Sequence, residues 1–213
     1  MNDFAFLRHT LVPLFRRRVQ VRNADRLPQT GAFLVAVNHQ SYLDPPLVWL
    51  GLTPILKRRL YFLTKEYIWR ALKRGFGQRG IDWMGILPID TSDKAKVLDA
   101  ALAKLAVGAP VVVFPEGTRN RTGEPVLLKG RTGLARLAHA TGLPVVPIGL
   151  VAPAGRNKRM AFKNFFSRQA AILTVGEPLH FEQRRDVGKD QLVATTTEVM
   201  RAIGTLCGKE YPF

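Results

Sequence analysis

Three short apolar runs limit most strongly what this chain can fold into: Phe33-Leu34-Val35-Ala36-Val37, Val111-Val112-Val113-Phe114 and Val145-Val146-Pro147-Ile148, each bounded by Pro, Gly or polar residues. Continuous apolar runs of this length read as strands buried on both faces, so other layers must cover them. The intervening stretches supply those layers. Residues 94–107 place Val97, Leu98, Ala101, Leu102 and Leu105 on one helical side, and residues 130–140 show comparable spacing. Ala171-Ile172-Leu173-Thr174-Val175 reads as another strand, and Leu192, Val193, Thr196, Val199, Met200, Ile203 and Leu206 mark an amphipathic closing helix. Alternating strand and helix predict an α/β sandwich, and 213 residues without repeat or Gly/Ser linker predict a single domain.

Charge narrows the partners. Lys and Arg number 32 against 16 Asp and Glu, a net charge of +16, and the excess leans towards the first 80 residues. A polyanion is expected: nucleic acid, an anionic bilayer, an acidic carrier protein or a phosphorylated substrate. Nucleic acid has charge alone in its favour, because the sequence holds no zinc module, aromatic RNA-binding block or P-loop, and no nucleic-acid partner is expected. With Cys207 as the sole cysteine, no intrachain disulfide or CxxC pair can form, which favours a cytosolic setting.

No membrane-spanning helix is expected, since the longest uncharged stretch, residues 137–155, is broken by Pro144, Pro147 and Pro153. The chain start lacks an uninterrupted apolar core and a small-residue cleavage site, so it is a poor secretory signal. Residues 1–17 are expected instead to be an amphipathic, membrane-associating segment. Phe4, Phe6, Leu7, Leu11, Val12, Leu14 and Phe15 precede Arg16, Arg17 and Arg18 there, although a helix packed on the core is the competing reading. A second basic and aromatic stretch, residues 57–79, interleaves Tyr61, Phe62, Tyr67, Trp69 and Phe76 with eight Lys and Arg residues, a composition suited to a lipid headgroup layer.

Two segments carry candidate chemistry. Asn38-His39-Gln40-Ser41-Tyr42-Leu43-Asp44 follows the first buried run, so His39 should emerge at the carboxyl end of the sheet. Asp44 can fix the imidazole tautomer and leave the other ring nitrogen to take a proton from an alcohol. It can also cap a helix, since Pro45 follows it. Phe114-Pro115-Glu116-Gly117-Thr118-Arg119 again follows a strand and offers a glycine for close backbone approach beside a cation, an anion site in outline. The alternative is a surface turn in which Glu116 and Arg119 pair with each other. His9, His139 and His180 have no partner motif and read as structural or solvent-facing.

Together the NHxxxxD and FPEGTR blocks resemble the lysophosphatidic-acid acyltransferase family of glycerolipid acyltransferases. The resemblance extends in order from Val19-Gln20-Val21 through Leu27-Pro28, residues 62–66, residues 85–90 and Val145-Val146-Pro147-Ile148. It implies a mixed, mostly parallel sheet flanked by helices, with residues 18–213 as the acyltransferase domain. It implies His39 as general base and Asp44 as its orienting partner, with Glu116, Gly117, Thr118 and Arg119 in the acceptor site, Arg119 on its phosphate and Lys65 assisting. The family uses neither metal nor cofactor and forms no acyl-enzyme; the donor is acyl-CoA or acyl-carrier protein. The acceptor it implies is 1-acyl-glycerol-3-phosphate, with other lyso-lipids or glycerol-3-phosphate as alternatives. The expected location is the cytoplasmic face of the cell membrane, held peripherally on its anionic surface. One departure stands out: Thr91 occupies the place where the family usually has a phosphate-binding arginine, and Arg79, Lys94 and Lys96 are the candidate replacements.

Overall fold

The computed structural model describes residues 13, 16–89, 93–120, 124–152, 159, 163 and 171–213. Almost all of the expected membrane-associating segment 1–17, and Thr91 with it, lie outside the described residues.

Seven strands form one sheet: β1 (Val19–Arg22), β2 (Leu34–Val37), β3 (Tyr61–Lys65), β4 (Ile86–Ile89), β5 (Val111–Val113), β6 (Val145–Val151) and β7 (Ala171–Val175). Their order is β1-β7-β6-β2-β5-β3-β4, and every pair is parallel except β6 with β7. The sheet is therefore mixed and mostly parallel, as expected. β2 lies at its centre, with Val35 level with Val112 of β5 on one side and with Val146 of β6 on the other.

All four residues of β2 are buried because both faces of the sheet are covered. Val35 and Val37 share a core with Leu47, Val48 and Leu52 of α1 (Asp44–Leu56). Leu34 and Ala36 point the other way, into a core built from α3 (Lys94–Ala106), α4 (Gly133–Thr141) and α5 (Lys189–Cys207). The period-two alternation of the strand thus separates two apolar cores, each sealed by helices. A further helix, α2 (Glu66–Met84), joins β3 to β4 and breaks at Gly77, whose φ of 65° is not helical. Among the described residues no helix is long and apolar enough to cross a membrane.

The three apolar runs and residues 171–175 appear as strands within a few residues of their expected limits, whereas β1, β3 and β4 are strands beyond those expected from the sequence. They are half-buried, and β4 contains Pro88, which is tolerated there because β4 is an edge strand. Within residues 57–79 the chain divides into β3 and the first part of α2.

The packing of α5 on β6 depends on a missing side chain. A Cβ at Gly149 would lie 2.5 Å from the carbonyl carbon of Leu206 and 2.6 Å from the amide nitrogen of Cys207. Those are backbone atoms, so the helix must move to admit it. Gly149→Ala is accordingly expected to destabilise the fold by about 1–3 kcal/mol, as overpacked cores do, and to lower the midpoint of thermal unfolding by several degrees in a circular-dichroism melt. An unchanged midpoint would show that α5 does not press on the sheet at this point.

Candidate active site

The chain can leave β2 after Val37 because a side chain takes over the ladder. The buried Asn38 amide donates to the Leu150 carbonyl at 2.9 Å and accepts from the Leu150 N–H at 2.7 Å. Those two bonds satisfy the β6 backbone as another strand residue would, and the backbone is free to turn at His39.

The turn is closed by one oxygen. Asp44 Oδ2 accepts the N–H of Gln40 at 2.6 Å, the N–H of Ser41 at 2.7 Å and the imidazole Nδ1–H of His39 at 2.8 Å. Asp44 is the first residue of α1, and no side chain caps that helix; its N-cap is Leu43. Of the two roles open to Asp44, the carboxylate takes the one that faces backwards into the loop. Pro45 and Pro46 occupy the first turn, where a missing N–H leaves no hydrogen bond unmade. Ser41 Oγ accepts the Leu43 N–H at 3.2 Å and serves the same turn.

The imidazole is held by this bond and by the Phe114 ring, whose centroid lies 4.5 Å away. With Nδ1 donating to a carboxylate, Nε2 carries the lone pair. The Asp44 side chain is 1% exposed and that of His39 18%. The carboxylate is sealed while an edge of the ring remains reachable, the arrangement required of a base that meets an incoming hydroxyl.

The second loop is bonded to the first. Glu116 Oε1 accepts the His39 N–H at 2.8 Å, Oε2 accepts the Leu128 N–H at 3.1 Å, and the Asn120 N–H donates to the His39 carbonyl at 2.8 Å. Glu116 is 2% exposed. Its burial raises the carboxyl pKa above the ordinary 4.5, and the two N–H donors partly offset that shift. A surface pair between Glu116 and Arg119 does not form. The Arg119 guanidinium instead covers the ring of Tyr42, 3.3 Å from its centroid.

Gly117 and Thr118 are exposed at the tip of this loop and Arg119 is half-buried. Lys65 is exposed at the end of β3. Because β2, β5 and β3 are adjacent and parallel, Lys65 leaves the same edge of the sheet as both loops. Asn38 lies in the NHxxxxD block without a role that the sequence reveals, and Asn120 and the nearby Arg131 lie outside both motifs. His139 is spent on the core, with Nδ1 donating to the Glu182 carbonyl at 2.8 Å and Nε2 accepting from the Thr195 hydroxyl at 2.9 Å. Cys207 is buried too, and desolvation pushes its thiol pKa up to about 11, which keeps it protonated and unreactive at neutral pH. Among the described residues no three His, Cys, Asp or Glu side chains cluster so as to hold a metal ion.

Comparison with known proteins places this geometry in context. A family model described as Acyltransferase matches residues 18–151. The chain is 36% identical over 168 residues to the 1-acyl-sn-glycerol-3-phosphate acyltransferase alpha of Mus musculus, covering 76% of this chain and 52% of that protein. It is 25% identical over 186 residues to the 1-acyl-sn-glycerol-3-phosphate acyltransferase of Bacillus subtilis (strain 168), covering 87% of this chain and 85% of that one. The chain thus spans about half the length of the mammalian relative and most of the bacterial one. In fold it is similar to the crystal structure of the 1-acyl-sn-glycerophosphate acyltransferase PlsC from Thermotoga maritima, with a TM-score of 0.65 at 24% identity over 97% of this chain and 83% of that chain.

The Glu116 bridge makes a testable demand. A glutamine has one acceptor oxygen, so in Glu116→Gln its amide NH₂ must face either the His39 or the Leu128 N–H. An unmatched buried donor costs about 1–3 kcal/mol, and urea unfolding should register that loss near neutral pH. Since the folded-state pKa of Glu116 is raised, the folded protein takes up this proton before the unfolded chain does. The contribution of this group to stability is therefore greatest below pH 4.5 and falls as pH rises through the raised value. That component of the pH dependence should disappear in Glu116→Gln; an identical pH profile in both proteins would contradict the assignment.

Proposed function

The chain belongs to the acyltransferase family, and on that premise we propose that it transfers a fatty acyl group from an acyl thioester, acyl-CoA or acyl-carrier protein, to the free hydroxyl of 1-acyl-glycerol-3-phosphate. The observation that carries this reading is the 2.8 Å bond between His39 Nδ1 and a sealed Asp44, which leaves the lone pair of Nε2, on a partly exposed ring, to take a proton.

In the proposed reaction the acceptor hydroxyl gives its proton to His39 Nε2 as its oxygen attacks the thioester carbonyl. Asp44 stabilises the resulting imidazolium and holds the ring in place. The tetrahedral intermediate collapses, the carbon–sulfur bond breaks, and the departing thiolate takes the proton back from Nε2. Atoms and charge balance without a cofactor or an acyl-enzyme. Arg119 receives the acceptor phosphate, with Lys65 assisting, and both leave the same sheet edge as His39. Glu116 sits behind them as the strut of the loop.

The acceptor is a lipid, so the protein works at an anionic membrane surface, held peripherally on its cytoplasmic face. Support comes from α2. Tyr67 is 70% exposed and Phe76 42% exposed, and Arg70, Lys73, Arg74 and Arg79 are all exposed along the same helix. Lys73 lies over the Trp69 ring at 4.7 Å. Aromatic rings interleaved with cations suit the headgroup layer of an anionic leaflet. Because α2 begins at Glu66, next to Lys65, docking by this helix would bring the lipid to the rim of the site.

Two experiments test the reading. His39→Ala should abolish acyl transfer in a folded protein, and Asp44→Asn should reduce kcat by roughly 10²–10⁴-fold, measured by mass spectrometry with both donor types and a panel of lyso-lipid and glycerol-3-phosphate acceptors. Near-normal turnover by a folded His39→Ala protein would refute the mechanism. For the membrane, combined substitution of Lys73, Arg74 and Arg79 by Ser removes about 1 kcal/mol of attraction per cation. Partition into phosphatidylglycerol vesicles should fall by about ten- to a hundredfold at low salt, and unchanged flotation would release α2 from this role.

A further inference from the structure

Arg131 belongs to no part of the two motif loops, yet its side chain lies on one of them. Its backbone N–H donates to the Pro115 carbonyl at 2.8 Å, which ties the segment before α4 to the FPEGTR loop. Gly117, the tip of that loop, has a φ of +65° and accepts no side chain without strain. A Cβ built there would lie 2.8 Å from both Cδ and Nε of Arg131 and 3.3 Å from Cζ. The guanidinium end of Arg131 therefore occupies the space that the glycine leaves open.

Arg131 is exposed, and among the described residues neither it nor Arg119 forms an ion pair with a carboxylate. Glu116, in the same loop as Gly117, is buried with both oxygens on backbone N–H groups. Two guanidinium groups thus belong to one loop region, that of Arg119 lying over the Tyr42 ring and that of Arg131 over Gly117. An anion bound at this loop would be attracted by both charges.

We infer that Arg131 is a second binding group for the acceptor phosphate and that, with Arg119, it selects a phosphomonoester over a phosphodiester headgroup. The inference rests on the function proposed above and specifies its acceptor. A phosphomonoester near neutral pH carries between one and two negative charges and offers three terminal oxygens, enough to engage two planar forks. A phosphodiester carries a single charge and two free oxygens, and saturates one fork. Of the three cations that the sequence offers as replacements at position 91, neither Lys96 nor Arg79 is as close to the Gly117 turn in the fold as Arg131 is. Lys96 pairs with Asp93 at 3.3 Å, Arg79 lies beyond the Gly77 break in α2, and Lys94 has a side chain outside the described residues.

The test is steady-state kinetics with a short-chain, water-soluble lysophosphatidic acid against the matching lysophosphatidylglycerol, for wild type, Arg131→Met, Arg131→Lys and Arg119→Ala. Methionine keeps an unbranched stem over Gly117 and removes the charge. Arg131→Met should raise KM for lysophosphatidic acid by about ten- to a hundredfold, change KM for the diester less than threefold, and leave KM for the thioester donor unchanged. Arg131→Lys should recover part of the loss, since it restores charge without the fork. Thermal melts of each variant separate these effects from unfolding. An unchanged lysophosphatidic acid KM in Arg131→Met overturns the inference, as does a rise confined to the donor. If Arg119→Ala alone raises the acceptor KM, the proposed function survives and the assignment of Arg131 fails. If wild type does not acylate lysophosphatidic acid, the acceptor reading fails first and the inference goes with it.

Discussion

A carboxylate removed from water holds the site together. Glu116 is costly to bury, and its raised pKa records the penalty of desolvation. Two backbone N–H groups that would otherwise lack partners, those of His39 and Leu128, offset it by donating one to each oxygen. The position of His39 thus depends on a residue 77 places further along the chain. Either loop alone would be a flexible connection at the end of a strand. Joined through Glu116, and through the Asn120 N–H on the His39 carbonyl, they form one body.

That bridge requires β2 and β5 to be neighbours pointing the same way. Register places Ala36 beside Val113, so each strand delivers its loop to the same edge at the same level. Around this pairing the polar atoms of the turn are used economically. Asn38 satisfies β6 after β2 has ended, and a single oxygen of Asp44 gathers two backbone donors and the ring nitrogen. An imidazole held by a bond on one side and an aromatic face on another has few rotamers left, which is what orientation of a base requires.

The charge of the molecule is distributed to match. The net +16 is not a uniform coat. Part of it lines the edge of the sheet as Lys65, Arg119 and Arg131, and part runs along α2 beside exposed aromatic rings. One population suits a small phosphate and the other an extended anionic surface. The acceptor proposed above presents both, a headgroup at the end of a chain embedded in a bilayer.

Much of this was legible in the sequence. The runs that became β2, β5, β6 and β7 are buried on both faces or nearly so, and such strands must be continuously apolar, so composition alone marks them. The helices α3 and α5 each show one apolar side, because only one side meets the sheet. The two motifs named His39, Asp44 and Arg119 and placed them after strands. β1 and β3 left no comparable trace, since half-buried strands tolerate polar residues, β4 is interrupted by Pro88, and α1, apolar on nearly every side, has no period to detect. Tertiary structure alone decided the rest. Whether Asp44 capped its helix or turned back to His39 depended on which donors the loop presented. Whether Glu116 faced solvent, Arg119 or the backbone depended on how close β5 brought it to β2. Arg131 reached Gly117 only because its own N–H pairs with Pro115 across a loop. Local sequence determines which elements form and which chemical groups they carry; which donor meets which acceptor across distant segments is decided only when folding brings those segments together and buries them.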